Sequence, residues 1–145
     1  MWQYETTVVW RSEKEGRLHA GGNPEITVAT PPDLGGPRNE WSPEQLPMGA
    51  IGSCLMMSAL YYLQKSGIER RSYMSNVAGT LDKTPSGLGF TSMAVEISVT
   101  LVDPVDIENA QEALSLAESG WPVSRTLGCP VQVQADVRRS EKDSA

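Results

Sequence analysis

Histidine is almost absent from this chain of 145 residues, with His19 its sole representative. Only two cysteines, Cys54 and Cys129, stand beside it, too few for the four ligands of a structural zinc site. A hydrolase built on a Cys54–His19 pair is also disfavoured. His19 falls in a short strand before Gly21-Gly22, and the sequence offers no carboxylate to orient it. No metal or other cofactor is therefore expected. Basic residues are scarce and form no long run. Twelve Lys and Arg face eighteen Asp and Glu, for a net charge of −6, so the chain repels phosphate backbones and nucleic acid is not an expected partner. The N-terminus, Met1-Trp-Gln-Tyr-Glu-Thr-Thr, lacks the basic and apolar segments of a secretory leader. Two cysteines without a leader point to a reducing, cytoplasmic setting rather than a disulfide scaffold. The hydrophobic fraction, 39%, is low for one domain of this length, and a subunit interface can make good part of the deficit. One domain over residues 1–137 is expected, with a polar tail over 138–145.

Charge is missing altogether between Glu44 and Lys65. Leu46–Leu63 reaches the lower limit for a membrane span. It also contains Pro47, Gly49, Gly52, Ser53 and Ser58, which favours a buried helix of a soluble core, so no membrane is expected as a partner. Cys54 lies deep in this run. A thiol there either packs inertly or serves as a redox centre screened from water.

Local patterns order the rest. Gln3–Trp10, Arg17–Ala20 and Glu25–Thr30 read as strands, separated by turns at Glu13–Gly16 and Gly21–Pro24. The proline- and glycine-rich stretch 31–37 is a loop. Ser42-Pro-Glu-Gln45 carries a helix start, with Ser42 as N-cap and Gln45 at the reciprocal capping-box position. Pro47 then predicts a turn at 43–46 and a kinked or restarted helix over 47–66, stopped by Gly67. Ser72–Lys83 and Phe90–Val102 read as strands joined through Thr84–Gly89. Ile107, Ala110, Ala113, Leu114 and Ala117 have helical spacing, with Asp106 as cap. Trp121–Leu127 is a helical turn, and Pro130–Val137 alternates as a last strand. The order βββαββααβ predicts an α+β fold with antiparallel sheets around a long central helix.

Ser42-Pro-Glu-Gln-Leu followed by Ala50-Ile-Gly-Ser-Cys54 resembles the OsmC/Ohr family of osmotically induced and organic-hydroperoxide-resistance proteins. Leu34-Gly-Gly-Pro37, Trp121-Pro-Val-Ser124 and the element order along nearly the whole chain are similar too. The resemblance implies an OsmC-like fold and an intertwined homodimer with sites between subunits. It further implies thiol-dependent reduction of organic hydroperoxides, with Cys54 as peroxidatic nucleophile and an external thiol as reductant. Glu44 matches the family glutamate that holds an active-site arginine; read as a residue alone, it is an ordinary first-turn carboxylate. Arg38 is the first choice for that arginine, with Arg11 and Arg17 as the others. Along a straight helix, Glu44 and Cys54 are separated by about 15 Å. Either Pro47 folds Glu44 back, or the two meet across a subunit interface.

The sequence departs from the family at the second thiol. Tryptophan, as Trp121, stands where the resolving cysteine of a Cys-Pro-Val-Ser turn belongs. Cys129 is either a displaced resolver or a small buried hydrophobe. Met48, Met57 and Trp121 either pack a core or line an apolar pocket. The alternative function is a non-catalytic protein of this fold that binds a small apolar ligand. A cation near Cys54 separates the two readings, because burial alone disfavours a thiolate.

Overall fold

The computed structural model describes residues 1–139. They fold as two compact units, Met1–Pro47 and Met48 onward.

In the first unit β1 (Thr7–Ser12), β2 (Glu15–His19) and β3 (Ile26–Ala29) form an antiparallel sheet in that order. β1 begins later than the expected Gln3 and runs past Trp10 through a register shift before Ser12. The hairpin turns at Glu13-Lys14, where the Trp10 indole N–H donates to the Glu13 carbonyl at 3.0 Å. A parallel bridge joins Val28 to Trp41, with the Ala29 N–H donating to the Trp41 carbonyl at 2.9 Å. The loop between carries a 3-10 turn, Pro32–Leu34. Behind it the backbone approaches Thr30 so closely that a Cβ on Gly36 would lie 1.5 Å from the Thr30 carbonyl oxygen, so only glycine fits. All of β1 is exposed, including Val8, Val9 and Trp10.

Helix α1 is Gln45–Lys65, opened by the expected capping box between Ser42 and Gln45. Pro47 neither delays nor restarts it. Pro47 is the third helical residue, in the first turn, where backbone N–H groups have no intrahelical acceptor to lose. The helix stops as the glycine predicts. Gly67 takes φ +69°, its N–H donates to Gln64 and the Ile68 N–H donates to Leu63, a Schellman arrangement with Ile68 and Leu63 both buried.

In the second unit β4 (Arg70–Thr84), β5 (Gly87–Leu101) and β6 (Val131–Arg139) form a sheet in that order. β4 and β5 are antiparallel, and their strands extend until only Pro85-Ser86 separates them. The Thr84 hydroxyl fastens this turn, accepting from the Ser86 N–H and donating to the Gly87 carbonyl. The α+β class holds, while β6 runs parallel to β5 rather than antiparallel. The connection over 102–130 is long enough to carry the chain back across the sheet, which a hairpin cannot do. It holds α2 (Ile107–Ser119) and α3 (Pro122–Thr126). Asp106 makes no side-chain cap. Asp103 does the capping instead, on the preceding 3-10 turn Pro104–Asp106, accepting from the Val105 N–H at 3.0 Å. The parallel ladder continues to Leu101↔Arg139, so Arg138 and Arg139 belong to β6 and not to a tail. Residues 140–145 of the expected tail lie outside the described residues.

The core sits in this second unit. One face of β5 supplies Met93, Val95, Ile97, Val99 and Leu101. α1 supplies Ile51, Leu55, Ala59 and Leu63, and α2 supplies Ala110, Ala113, Leu114 and Ala117. These repeats at two residues on the strand and three to four on the helices are the periods that bury one face of each.

Candidate functional site

Cys54 lies midway along the uncharged part of α1 and is half-buried, packed against the core. Its direction around the helix follows from its neighbours. Ser58, about 40° from Cys54 at 3.6 residues per turn, donates its hydroxyl to the Ala117 carbonyl of α2 at 3.1 Å. The thiol therefore lies on the flank of α1 that meets α2. On the other flank, a Cβ on Gly52 would meet Val77 of β4 at 3.2 Å, so helix and strand lie close there.

Trp121 is 5% exposed and belongs to the core. It precedes α3 in an extended conformation, with φ −88° and ψ 120°, and its carbonyl accepts from the Ser124 hydroxyl at 3.1 Å. Cys129 is half-buried and packs against the same core cluster as Cys54, and both are free thiols. Arg125, which the sequence reading did not single out, is tethered by its Nη2, which donates to the Ser119 carbonyl at 2.9 Å. Its signal was its place in the turn that follows Trp121.

Of the other expected pocket residues, Met48 is half-buried against the core. Its sulfur lies where a Cβ on Gly79 would come within 2.6 Å. Met57 is 60% exposed on the outer face of α1, one turn before the equally exposed Tyr61. Met48 and Trp121 thus share a core that Met57 does not enter.

Glu44 and Arg38 lie in the first unit. Glu44 has a buried carboxylate oxygen, Oε2, without a hydrogen-bond partner among the described residues. A buried acceptor left open costs about 1–3 kcal/mol. Arg38 is exposed and forms no ion pair with it among the described residues. Arg17 pairs with Glu25 at 3.6 Å, His19 approaches the other Glu25 oxygen at 3.3 Å, and Arg17 Nε is buried without a hydrogen-bond partner among the described residues. Arg11 is exposed on β1. Among the described residues no three His, Cys, Asp or Glu side chains converge as a metal site.

The family model for OsmC-like proteins matches residues 35–136. An uncharacterized Bacillus subtilis protein, YmaD, is 22% identical over 118 residues, covering 79% of each chain. An OsmC-like protein of unknown function from Vibrio cholerae has the same fold, with a TM-score of 0.85 at 17% identity over 94% of this chain and 100% of that one. An organic hydroperoxide resistance protein from Legionella pneumophila superposes with a TM-score of 0.72 at 20% identity over 95% and 99% of the two chains. The organic hydroperoxide resistance protein OhrB of Bacillus subtilis gives 0.63 at 20% identity over 94% and 98%.

Proposed function

Because the chain belongs to the OsmC-like protein family, as its match over residues 35–136 establishes, we propose that it serves in oxidative-stress defence by reducing organic hydroperoxides, with Cys54 as the attacking thiol. The observation that carries this reading is a free, half-buried thiol on an uncharged helix, ten residues after a glutamate with a buried oxygen that has no hydrogen-bond partner among the described residues. The fold neighbours named for hydroperoxide resistance support the same direction.

The Cys54 thiolate attacks one oxygen of the hydroperoxide. The O–O bond breaks, the alkoxide takes up a proton and leaves as alcohol, and Cys54 becomes a sulfenic acid. An external thiol then attacks the sulfur, releasing water and leaving a mixed disulfide. A second thiol displaces Cys54 and carries the disulfide away. Trp121 occupies the place of the family's second thiol, so the reductant comes from outside the chain. Arg38 is the proposed cation that favours the thiolate; it makes no ion pair with Glu44 among the described residues, so that pairing is expected only in the assembled homodimer.

The working assembly is a homodimer. The exposed Val8, Val9 and Trp10 of β1, and Met57 and Tyr61 of α1, are apolar surface that a second copy would cover. The setting is cytoplasmic, with α1 as a core helix rather than a membrane span.

The buried indole at the resolving position also favours a second reading, a non-catalytic protein that holds a small apolar ligand beside Cys54. One experiment decides between the two. Purified protein is given cumene hydroperoxide and dithiothreitol, and peroxide loss is followed over time. Turnover that vanishes in Cys54→Ser supports the peroxidase. Equal rates in both proteins, or none in either, leave the binder.

A further inference from the structure

Cys54, Ser58 and Tyr62 follow one another at four-residue spacing on α1, each about 40° around the helix from the one before. Two of the three meet the end of α2. The Ser58 hydroxyl donates to the Ala117 carbonyl at 3.1 Å, and a Cβ on Gly120 would lie 3.9 Å from the Tyr62 hydroxyl oxygen. Apart from the capping box, no other α1 side chain forms a hydrogen bond outside the helix among the described residues. Ser53 shows the ordinary alternative for a serine within a helix. Its hydroxyl turns back to the Gly49 carbonyl at 2.6 Å.

The Ala117 carbonyl needs such a donor. It lies in the last turn of α2, where carbonyls have no helical amide four residues on. The Gly120 N–H reaches it only at 3.4 Å, so Ser58 supplies the shorter bond. Neighbouring carbonyls are held by side chains too. The Ser119 hydroxyl donates to the Leu116 carbonyl at 2.7 Å, and Arg125 Nη2 donates to the Ser119 carbonyl at 2.9 Å. The end of α2 is fastened to α1, to itself and to α3.

On α1 the same bond has a second effect. The helix carries no charge before Lys65, and large apolar side chains stand outside it, as Met57 and Tyr61, as well as inside. Hydrophobicity alone therefore sets its rotation weakly. A directional hydrogen bond from a half-buried hydroxyl sets it far more sharply. Cys54 stands between exposed Ser53 and fully buried Leu55, so a small rotation either buries the thiol or turns it to solvent.

We propose that Ser58 is a positioning residue for Cys54. Its bond to Ala117 fixes the rotation of α1 against α2 and so aims the thiol. The consequence for turnover rests on Cys54 being the attacking thiol; the aim itself does not.

Alkylation of Cys54 by iodoacetamide, followed by peptide mass spectrometry, reads access to the thiol without peroxide. Ser58→Ala should speed it about fivefold at fixed pH, because the freed Ala117 carbonyl turns to water and the end of α2 moves off the thiol's flank. Turnover of cumene hydroperoxide should move the other way, with kcat about fivefold lower. Ser58→Thr keeps the hydroxyl and should restore both. Ser42→Ala loses a hydrogen bond at the far start of the helix and serves as the control for lost stability alone. It should leave alkylation within about twofold of wild type. Unchanged or slower alkylation in Ser58→Ala overturns the proposal. So does an equal rise in Ser42→Ala, a folded Ser58→Thr that behaves as Ser58→Ala, or faster alkylation with kcat unchanged. If Ser58→Thr does not fold, the comparison of Ser58→Ala with Ser42→Ala decides alone. A wild type without peroxide turnover sinks the peroxidase reading instead, and alkylation still decides the role of Ser58.

Discussion

Ser42 and Gln45 close on each other. The Ser42 N–H donates to Gln45 Oε1 at 3.0 Å, and the Gln45 N–H donates back to Ser42 Oγ at 3.3 Å. This box tethers the start of the helix that carries Cys54, and Ser42 is the only polar residue buried as a whole among the described residues. Ser42→Ala removes the acceptor and should cost about 1 kcal/mol, read as a lower urea midpoint with an unchanged slope. Ser42→Asp keeps an acceptor and should recover most of that loss.

Gly36→Ala should be far worse. A methyl there meets the Thr30 carbonyl oxygen at 1.5 Å, and backbone on both sides must move. A loss of about 3 kcal/mol or more is expected in thermal melts. Gly22→Ala is the control, because a Cβ there meets nothing within 4 Å and should change stability little.

Tyr73→Phe should stabilise the protein by about 1 kcal/mol, since it removes a buried hydroxyl that has no partner among the described residues. The phenol's pKa is raised from 10.0 to about 12 by burial, so its neutral form is favoured in the folded state. That contribution is complete below pH 10 and is lost as pH rises from 10 toward 12. Wild type should therefore weaken more steeply across that window than Tyr73→Phe in pH-dependent unfolding. A parallel decline of the two proteins would remove Tyr73 as the cause.

One equivalent of organic hydroperoxide should leave Cys54 as a sulfenic acid, or as a mixed disulfide once thiol is added. Peptide mass spectrometry should find no Cys54–Cys129 bridge. A bridge in the oxidised monomer would make Cys129 the resolver, packed as it is against the same core cluster.

Arg38→Ala should slow alkylation of Cys54 at pH 7 by about tenfold, the effect of one unit in thiol pKa. Glu44→Ala should slow it less, since it removes the orienting group and leaves the charge. If Arg38→Ala leaves the rate unchanged while Arg11→Ala or Arg17→Ala slows it, that arginine is the cation in place of Arg38.

Much of the fold was legible because its periods are local. Val95, Ile97, Val99 and Leu101 alternate as a half-buried strand must, and Ala110, Ala113, Leu114 and Ala117 repeat as one helix face must. The stop at Gly67 and the box at Ser42 are also written in neighbouring residues. The parallel pairing of β6 was not, because alternation in Val131–Val137 gives a face and no partner or direction. The exposure of Met57 was not legible either, because α1 lacks charge on every side and composition does not say which face is outside. Pro47 misled through its residue type, whereas its cost depends on its distance from the helix start. The candidate thiol and glutamate rest on the resemblance of Glu44 and Cys54 to the family's motif. The open Tyr73 hydroxyl could not, since whether a polar atom finds a partner is settled only by tertiary packing.

The parallel β6 also sets a schedule for the newborn chain. β5 leaves the ribosome with one long edge paired to β4 and the other bare, and its second neighbour is not made until the whole 102–130 connection has followed. Until then Val131, Val133 and Val137 are missing from the core, and the β5 edge is open to any passing strand. Truncation a few residues before Arg139 would strike the closing ladder itself, leaving a nascent protein that holds its hairpin but cannot seal it.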